Sequence, residues 1–381
     1  MTSLAFADDS TLLIADQTGS IEQWDLDRSA TSGQAIPDDV TRVGVAAVSG
    51  NGELVAVGGC AAPAPEPTPS FVAACDGAVW IESTRDDPGA LLLTGGGEVD
   101  AAAFTRDGRV LVSGGESGLV ATDLTTGAGE RISDRFVLDL AINPVSEEVV
   151  TSELDGSLVM TSLTMGSSDR LRAPVDDDAL IPPGGIAFSP DGQMLYAAGA
   201  QGRVSQWELD DGTETTLVDL ELDGFSNIVD LAVSPDSGTL AVATMSAVGE
   251  DHAIRRYDTE SSAELPPAIV DRRFLGGLGF SPDGASLAYS SSRGLVLWDL
   301  NRNRPIGPPF ALGAPARTAM VVGGPSEAPI AVQADAVSAT WWPLDDSHLI
   351  EVACARANRT IEDSEWSRFA ASPDEPSTAC T

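Results

Sequence analysis

Lysine is missing altogether: all 21 basic residues are arginine, against 58 acidic residues, and the formal net charge is −37. Without lysine there is no Gly-x-x-x-x-Gly-Lys-Ser/Thr phosphate-cradling loop. A surface this acidic also repels phosphate backbones and anionic membranes, which argues against nucleic acid as a partner. Histidine is almost as scarce, with only His252 and His348. That leaves few routes to a Ser-His-Asp triad, and no Gly-x-Ser-x-Gly elbow stands out. No close Cys-x-x-Cys pair occurs, so zinc is not expected. No window approaches the roughly eighteen consecutive apolar residues of a membrane helix. The N-terminus, MTSLAFADDSTLLIADQ, has no basic segment and turns acidic by Asp8, unlike a secretory signal. These absences predict no metal, no cofactor, no membrane insertion and a cytoplasmic location.

Glycine and proline are what the chain has instead. Gly (38) and Pro (24) exceed one residue in seven, and 43% of residues are hydrophobic, a composition that suits short strands joined by tight turns. One phrase also recurs: FSPDGQMLYAAGAQGRVSQWEL from Phe188 returns as FSPDGASLAYSSSRGLVLWDL from Phe280. Aligned on the last apolar residue before each such turn, the copies fall at Phe6, Val48, Phe104, Ile142, Phe188, Val233, Phe280 and Val322. Their spacings are 42, 56, 38, 46, 45, 47 and 42 residues. Repeats of roughly 40 to 50 residues mark propellers or helical arrays. Here each unit alternates β-rich runs with turn signals and shows no sustained 3.6-residue period. Four antiparallel strands cannot bury both faces alone, so successive sheets must pack face to face around an axis.

At this point the residues resemble a family. Third strands ending in Trp24-Asp25, Trp207-Glu208, Tyr257-Asp258 and Trp298-Asp299, with FSPDG joining the first two strands, are similar to WD-repeat β-propellers. The resemblance covers about residues 3 to 344 and implies an all-β propeller of four-stranded antiparallel blades. The family's Gly-His pair before the first strand is missing, so its His-centred hydrogen-bond network is not expected. Eight modules favour eight blades, the last three-stranded or unconventionally closed, with seven blades plus a remnant as the alternative and a start lost from a longer parent chain as a third reading. Trp24, Trp207, Trp298 and Trp341 are read as structural.

Residues 345–381 form a tail with a different grammar. Thr360 and Asp363 predict a short helix from about Ile361 to Phe369 that docks through Trp366 and Phe369. The segments around Cys354, Ala357–Arg359, Glu365-Trp366 and Cys380 resemble the tail of many bacterial, especially actinobacterial, WD-repeat proteins. In those the propeller is usually the C-terminal sensor or scaffold of a larger protein with a signalling NTPase, protease or kinase domain. The resemblance thus implies a protein partner and an upstream signalling domain in the same or a neighbouring gene.

The four cysteines fall into two local pairs, Cys60 with Cys75 and Cys354 with Cys380. They are candidate disulfides, set against the reading that all four are free thiols. On the propeller frame the loops from strand two to three, and from strand four to the next strand one, share a top face. This puts Phe71, Arg135, Phe136, Phe225, Arg272, Arg273 and Phe274 there as candidate partner-binding residues of types enriched at hot spots. Asp139 and Asp230 share one repeat position on the strand nearest the axis and are candidate channel-mouth carboxylates. The functional expectation is a non-enzymatic scaffold or sensor. The alternative is a propeller lactonase or hydrolase with a metal in its channel.

Overall fold

The computed structural model describes residues 3–6, 11–15, 21–25, 40–51, 53–61, 76–83, 90–164, 166–173, 185–220, 222, 226–246, 252–271, 274–281, 283–291, 294–306, 319–323, 330–334 and 339–343, with side chains only between 45 and 306. The tail helix, Trp366, Cys354 and Cys380 lie outside them. Trp24 and Trp341 are placed on strands by their backbone alone.

Every sheet is an antiparallel meander in chain order. The first holds β1 (Ser3–Phe6), β2 (Thr11–Ala15) and β3 (Ile21–Asp25). Blade I holds β4 (Val40–Val48), β5 (Leu54–Ala61), β6 (Gly77–Ser83) and β7 (Ala90–Leu93). Blade II holds β8 (Val99–Phe104), β9 (Val110–Gly115), β10 (Gly118–Asp123) and β11 (Ala128–Ser133). Blade III holds β12 (Val137–Ile142), β13 (Glu148–Glu153), β14 (Leu158–Ser162) and β15 (Ser168–Arg172). Blade IV holds β16 (Ile186–Phe188), β17 (Met194–Ala198), β18 (Arg203–Glu208) and β19 (Thr213–Asp219). Blade V holds β20 (Ser226–Val233), β21 (Thr239–Ser246), β22 (Ala253–Asp258) and β23 (Ile269–Val270). Blade VI holds β24 (Phe274–Phe280), β25 (Ser286–Ser291), β26 (Gly294–Asp299) and β27 (Arg304–Pro305), and blade VII holds β28 (Ala319–Gly323), β29 (Ile330–Ala334) and β30 (Ala339–Pro343).

First strands pack on first strands around the ring, β4 on β8, then β12, β16, β20, β24 and β28, and β28 returns to β4. Among the described residues eight sheets form, matching the eight modules, but the expected eight-bladed ring is corrected to seven blades and an additional sheet. The reason is physical: β4 already has β8 on one side and β28 on the other, which leaves no place for β1–β3 between them. Among the described residues the eighth module shows three strands.

Burial follows from this stacking. Second strands have a neighbouring blade on both faces, so β9, β13 and β17 are buried at nearly every position. Fourth strands face outward, and β11 and β15 are exposed over most of their length. The apolar clusters therefore lie between blades. Between III and IV, Val150 and Leu158 meet Leu195 and Trp207, which is only 2% exposed. The Arg172 guanidinium lies over the Trp207 ring, 5.1 Å from its centre, and donates to the Ala198 carbonyl at 2.9 Å.

The repeated turn has a local cause. Ser189 Oγ donates to Asp191 Oδ1 and accepts from Met194 N at 2.9 Å, while Asp191 Oδ1 also accepts from Gln193 N at 3.0 Å. The same scheme recurs at Thr105/Asp107, Ser234/Asp236, Ser281/Asp283 and, with asparagine, Ser49/Asn51. These hydrogen bonds hold the Asp107, Asp191 and Asp236 carboxyls below the usual carboxylate range. The aspartate that ends a third strand acts similarly: Asp258 Oδ1 accepts from Ser261 N at 2.7 Å and Asp299 Oδ1 from Asn301 N at 2.9 Å. Ser189 is fully buried, so Ser189→Ala leaves the Met194 amide without its acceptor. A loss of about 1–3 kcal/mol is expected in urea unfolding, and an unchanged midpoint would show that this turn is carried by Pro and Gly alone.

Candidate interaction surface

Each first strand runs away from the top face, so the loop entering it and the loop after the second strand meet above the blade. Between β7 and β8 the glycines Gly95, Gly96 and Gly97 all have positive φ (75°, 62° and 82°), the left-handed region that only glycine enters freely. A Cβ on Gly97 would stand 2.5 Å from Glu116 Cβ, because this loop nests against the β9–β10 turn. The Gly-rich stretch is a turn into a first strand.

Blade III carries the best-defined part of the top face. Arg135, in the loop before β12, donates to Glu153 Oε2 at 2.8 Å and has Asp155 Oδ2 at 3.6 Å. Glu153 is buried and also accepts from Ser157 Oγ at 2.8 Å. The neighbouring carboxylates hold the guanidinium's pKa above its ordinary value, Glu153 contributing most. Arg135 thus spends one edge on a carboxylate of its own blade and keeps the rest exposed. Phe136 is half-buried, and its carbonyl accepts from Leu154 N at 3.1 Å. Leu154 itself is 53% exposed, an apolar tip that sequence reasoning missed because the stretch SELDGS has the composition of an ordinary polar turn.

Blade V ends at the top with Val270, 66% exposed. It leads to Asp271, whose Oδ2 accepts from Tyr289 OH at 3.3 Å. The next predicted contacts, Arg272 and Arg273, lie outside the described residues, as do Phe71 and Phe225. Phe274 opens β24 opposite Ser291, with its side chain not described. Of the predicted top-face set, the structure therefore brings Arg135 and Phe136 together. His252 is half-buried, with Nε2 3.2 Å from the Ser246 carbonyl oxygen.

Asp139 and Asp230 do share a position, each just after a bulge in its first strand. Both are half-buried, and each carboxyl reaches the next blade. Asp139 Oδ1 accepts from Leu140 N at 2.8 Å, and Oδ2 from Gly185 N at 3.1 Å. The Asp230 carboxyl likewise takes the amides of Leu231 and, on blade VI, Leu278. Gly185 has φ 107°, and a Cβ there would stand 3.0 Å from Leu231 Cγ, so this position keeps blades IV and V close. Burial raises the Asp139 carboxyl to about 6. Burial, and then the charge of Asp139, raise Asp230 to about 7. These groups latch blade to blade instead of standing solvated in the channel.

Cys60, at the end of β5, is fully buried and disulfide-bonded. Its partner is not among the described residues. Cys60 faces Gly77 across the β5–β6 pair, and Cys75 lies two residues before Gly77 in sequence.

Residues 184–208, the first three strands of blade IV, match the family model described as WD domain, G-beta repeat. Among solved structures, the crystal structure of the Cps50 (Swd1) β-propeller domain of Myceliophteria thermophila is similar with a TM-score of 0.60. It is 16% identical, over 82% of this chain and 99% of that one. The fold is a β-propeller, and its blade IV carries a WD repeat. No curated protein matches the chain. The matched repeat keeps both the Ser189 turn and the Trp207 anchor, the two structural devices described above.

Proposed function

We propose that this WD-repeat propeller is a non-enzymatic scaffold or sensor module that binds a protein partner through its top-face loops, in a bacterial signalling assembly. One observation carries the reading. Among the described residues the bottom turns of five blades, I, II, IV, V and VI, repeat one hydrogen-bond scheme, from which blade III departs. The top loops differ from blade to blade and expose Leu154 and Val270. A rigid frame with variable loops is how scaffolds present binding residues. The net charge of −37 favours a partner with a basic face and speeds its encounter at low salt.

The rival metal-dependent hydrolase would need converging channel ligands. The two recurrent channel carboxylates instead accept backbone amides. The proposal retains the cytoplasm as its location. The Cys60 disulfide belongs more naturally to an oxidising compartment, and complete burial is what would shield it from glutathione.

The reading is tested by affinity capture and mass spectrometry with Leu154→Asp on the top face and Val145→Asp on the bottom, both at exposed apolar positions. Loss of specific partners is expected with Leu154→Asp only. Identical partner sets for both variants and the parent would remove blade III from the surface, and loss with Val145→Asp alone would place binding on the other face.

A further inference from the structure

We propose that the bottom-face cleft between blades V and VI takes a carboxylate of a protein segment on Arg256, with an adjacent basic residue of that segment facing Asp236 and Asp283. The cleft holds about 480 Å³ and is lined by Ser234, Asp236, Thr239, Arg256, Asp283 and Asn301, among others. It lies opposite the surface of the preceding section and goes beyond that reading.

Arg256 occupies an unusual position. Across its sheet it pairs with Ala241, just as Leu297 pairs with Ala288 in blade VI and Gln206 with Tyr196 in blade IV. Leu297 at this position is buried, 6% exposed, so the repeat ordinarily puts an uncharged side chain there. An arginine opposite a small alanine gives the cleft both its space and its cation. Among the described residues no acceptor reaches Arg256 Nε, although that atom is buried. Burial alone accounts for the downward displacement of its pKa, with no carboxylate raising it. Among the described residues no carboxylate is paired with this half-buried guanidinium, in a chain with 58 acidic residues. A buried donor lacking an acceptor is unfavourable, and an incoming carboxylate recovers that loss through charge-assisted hydrogen bonds.

The rim selects which carboxylate enters. Asp236 Oδ1 is committed to Ser234 Oγ and Gly238 N, and Asp283 Oδ1 to Ser281 Oγ and Ala285 N. Their charges remain on the cleft wall and repel a bare anion, while favouring one that brings its own cation. A segment with Glu or Asp beside Arg or Lys meets both demands, and the chain's net negative charge draws such basic segments in.

The test is saturation-transfer NMR on the full chain with acetylated, amidated Glu-Arg, Gln-Arg and Glu-Gln dipeptides and with free arginine. Glu-Arg should bind the parent and lose at least about tenfold in affinity in Arg256→Gln, which keeps much of the side-chain length. Asp283→Asn, at a rim turn, should weaken Glu-Arg and leave Glu-Gln unchanged, and it carries the test if Arg256→Gln fails to fold by thermal melting. Equal binding of Glu-Arg to the parent and both variants, or of Gln-Arg and Glu-Arg to the parent, would overturn the assignment. Free arginine binding tighter than every dipeptide would overturn it in favour of a small zwitterion.

Discussion

Trp207→Ala should lower the unfolding free energy by about 3–5 kcal/mol, the cost of emptying a large buried aromatic site. The ring is 2% exposed among Val150, Leu158 and Leu195, where blades III and IV meet. The mutation also takes away the surface on which the Arg172 guanidinium lies, and burial has already displaced that group's pKa downward. Removing the ring therefore costs packing on one blade and support for a partly desolvated cation on the other. Trp298→Ala provides the comparison, because Trp298 is half-buried and its Nε1 donates at 3.3 Å to the nearby Asn303. Differential scanning calorimetry should show a clearly larger fall for Trp207→Ala. Equal falls would mean that the III/IV contact is not a principal seam of the ring.

The second large effect is a dependence on pH that runs opposite to ordinary acid denaturation. Asp139 titrates at about 6 and Asp230 at about 7 in the folded chain, against 3.8 as the ordinary value. Between these values the folded state holds protons that the unfolded state has released, so stability falls as pH rises. The contribution is complete below pH 3.8 and lost as pH passes 6 and then 7. Water reaching these half-buried groups reduces it to about 2–3 kcal/mol for both together. The turn carboxylates work the other way: Asp107, Asp191 and Asp236 have lowered values and lose their contribution only as pH falls below the ordinary range. A melting temperature higher at pH 5 than at pH 8 is therefore expected, with the difference largely removed in the double variant Asp139→Asn/Asp230→Asn. A difference of the same size in that variant would sink the latch as its source.

How much of this was legible in the sequence depended on how far apart the interacting groups are. The Ser189 turn closes within six residues, so its meaning could be read from the phrase SPDGQM itself. Buried second strands read as apolar runs for a similar reason. Ring size did not yield to counting, because modules are local while membership of the ring depends on β28 meeting β4. Asp139 and Asp230 stand out in the sequence as a recurrence, yet their partners are amides on the following blade, 46 residues on for Asp139 and Gly185. The pairing of Arg135 is not legible locally, because its carboxylate, Glu153, is 18 residues away on the second strand. Arg256 is inconspicuous in the run AIRRYD, and only alignment of its third strand with VSQWE and LVLWD marks a charge where blade VI has leucine.

Closure of the ring has a consequence for synthesis. The contact of Val40–Val48 with Ala319–Gly323 joins elements that are made far apart in time during translation. Until the later strand emerges, the growing chain is an open arc whose first blade lacks its final neighbour, however well its intermediate blades have formed. Contacts of such sequence separation form late and slowly, and uncovered strand faces favour association with other nascent chains. The interval between completing blade VI and releasing blade VII is thus the period in which this protein most needs dilution or a chaperone.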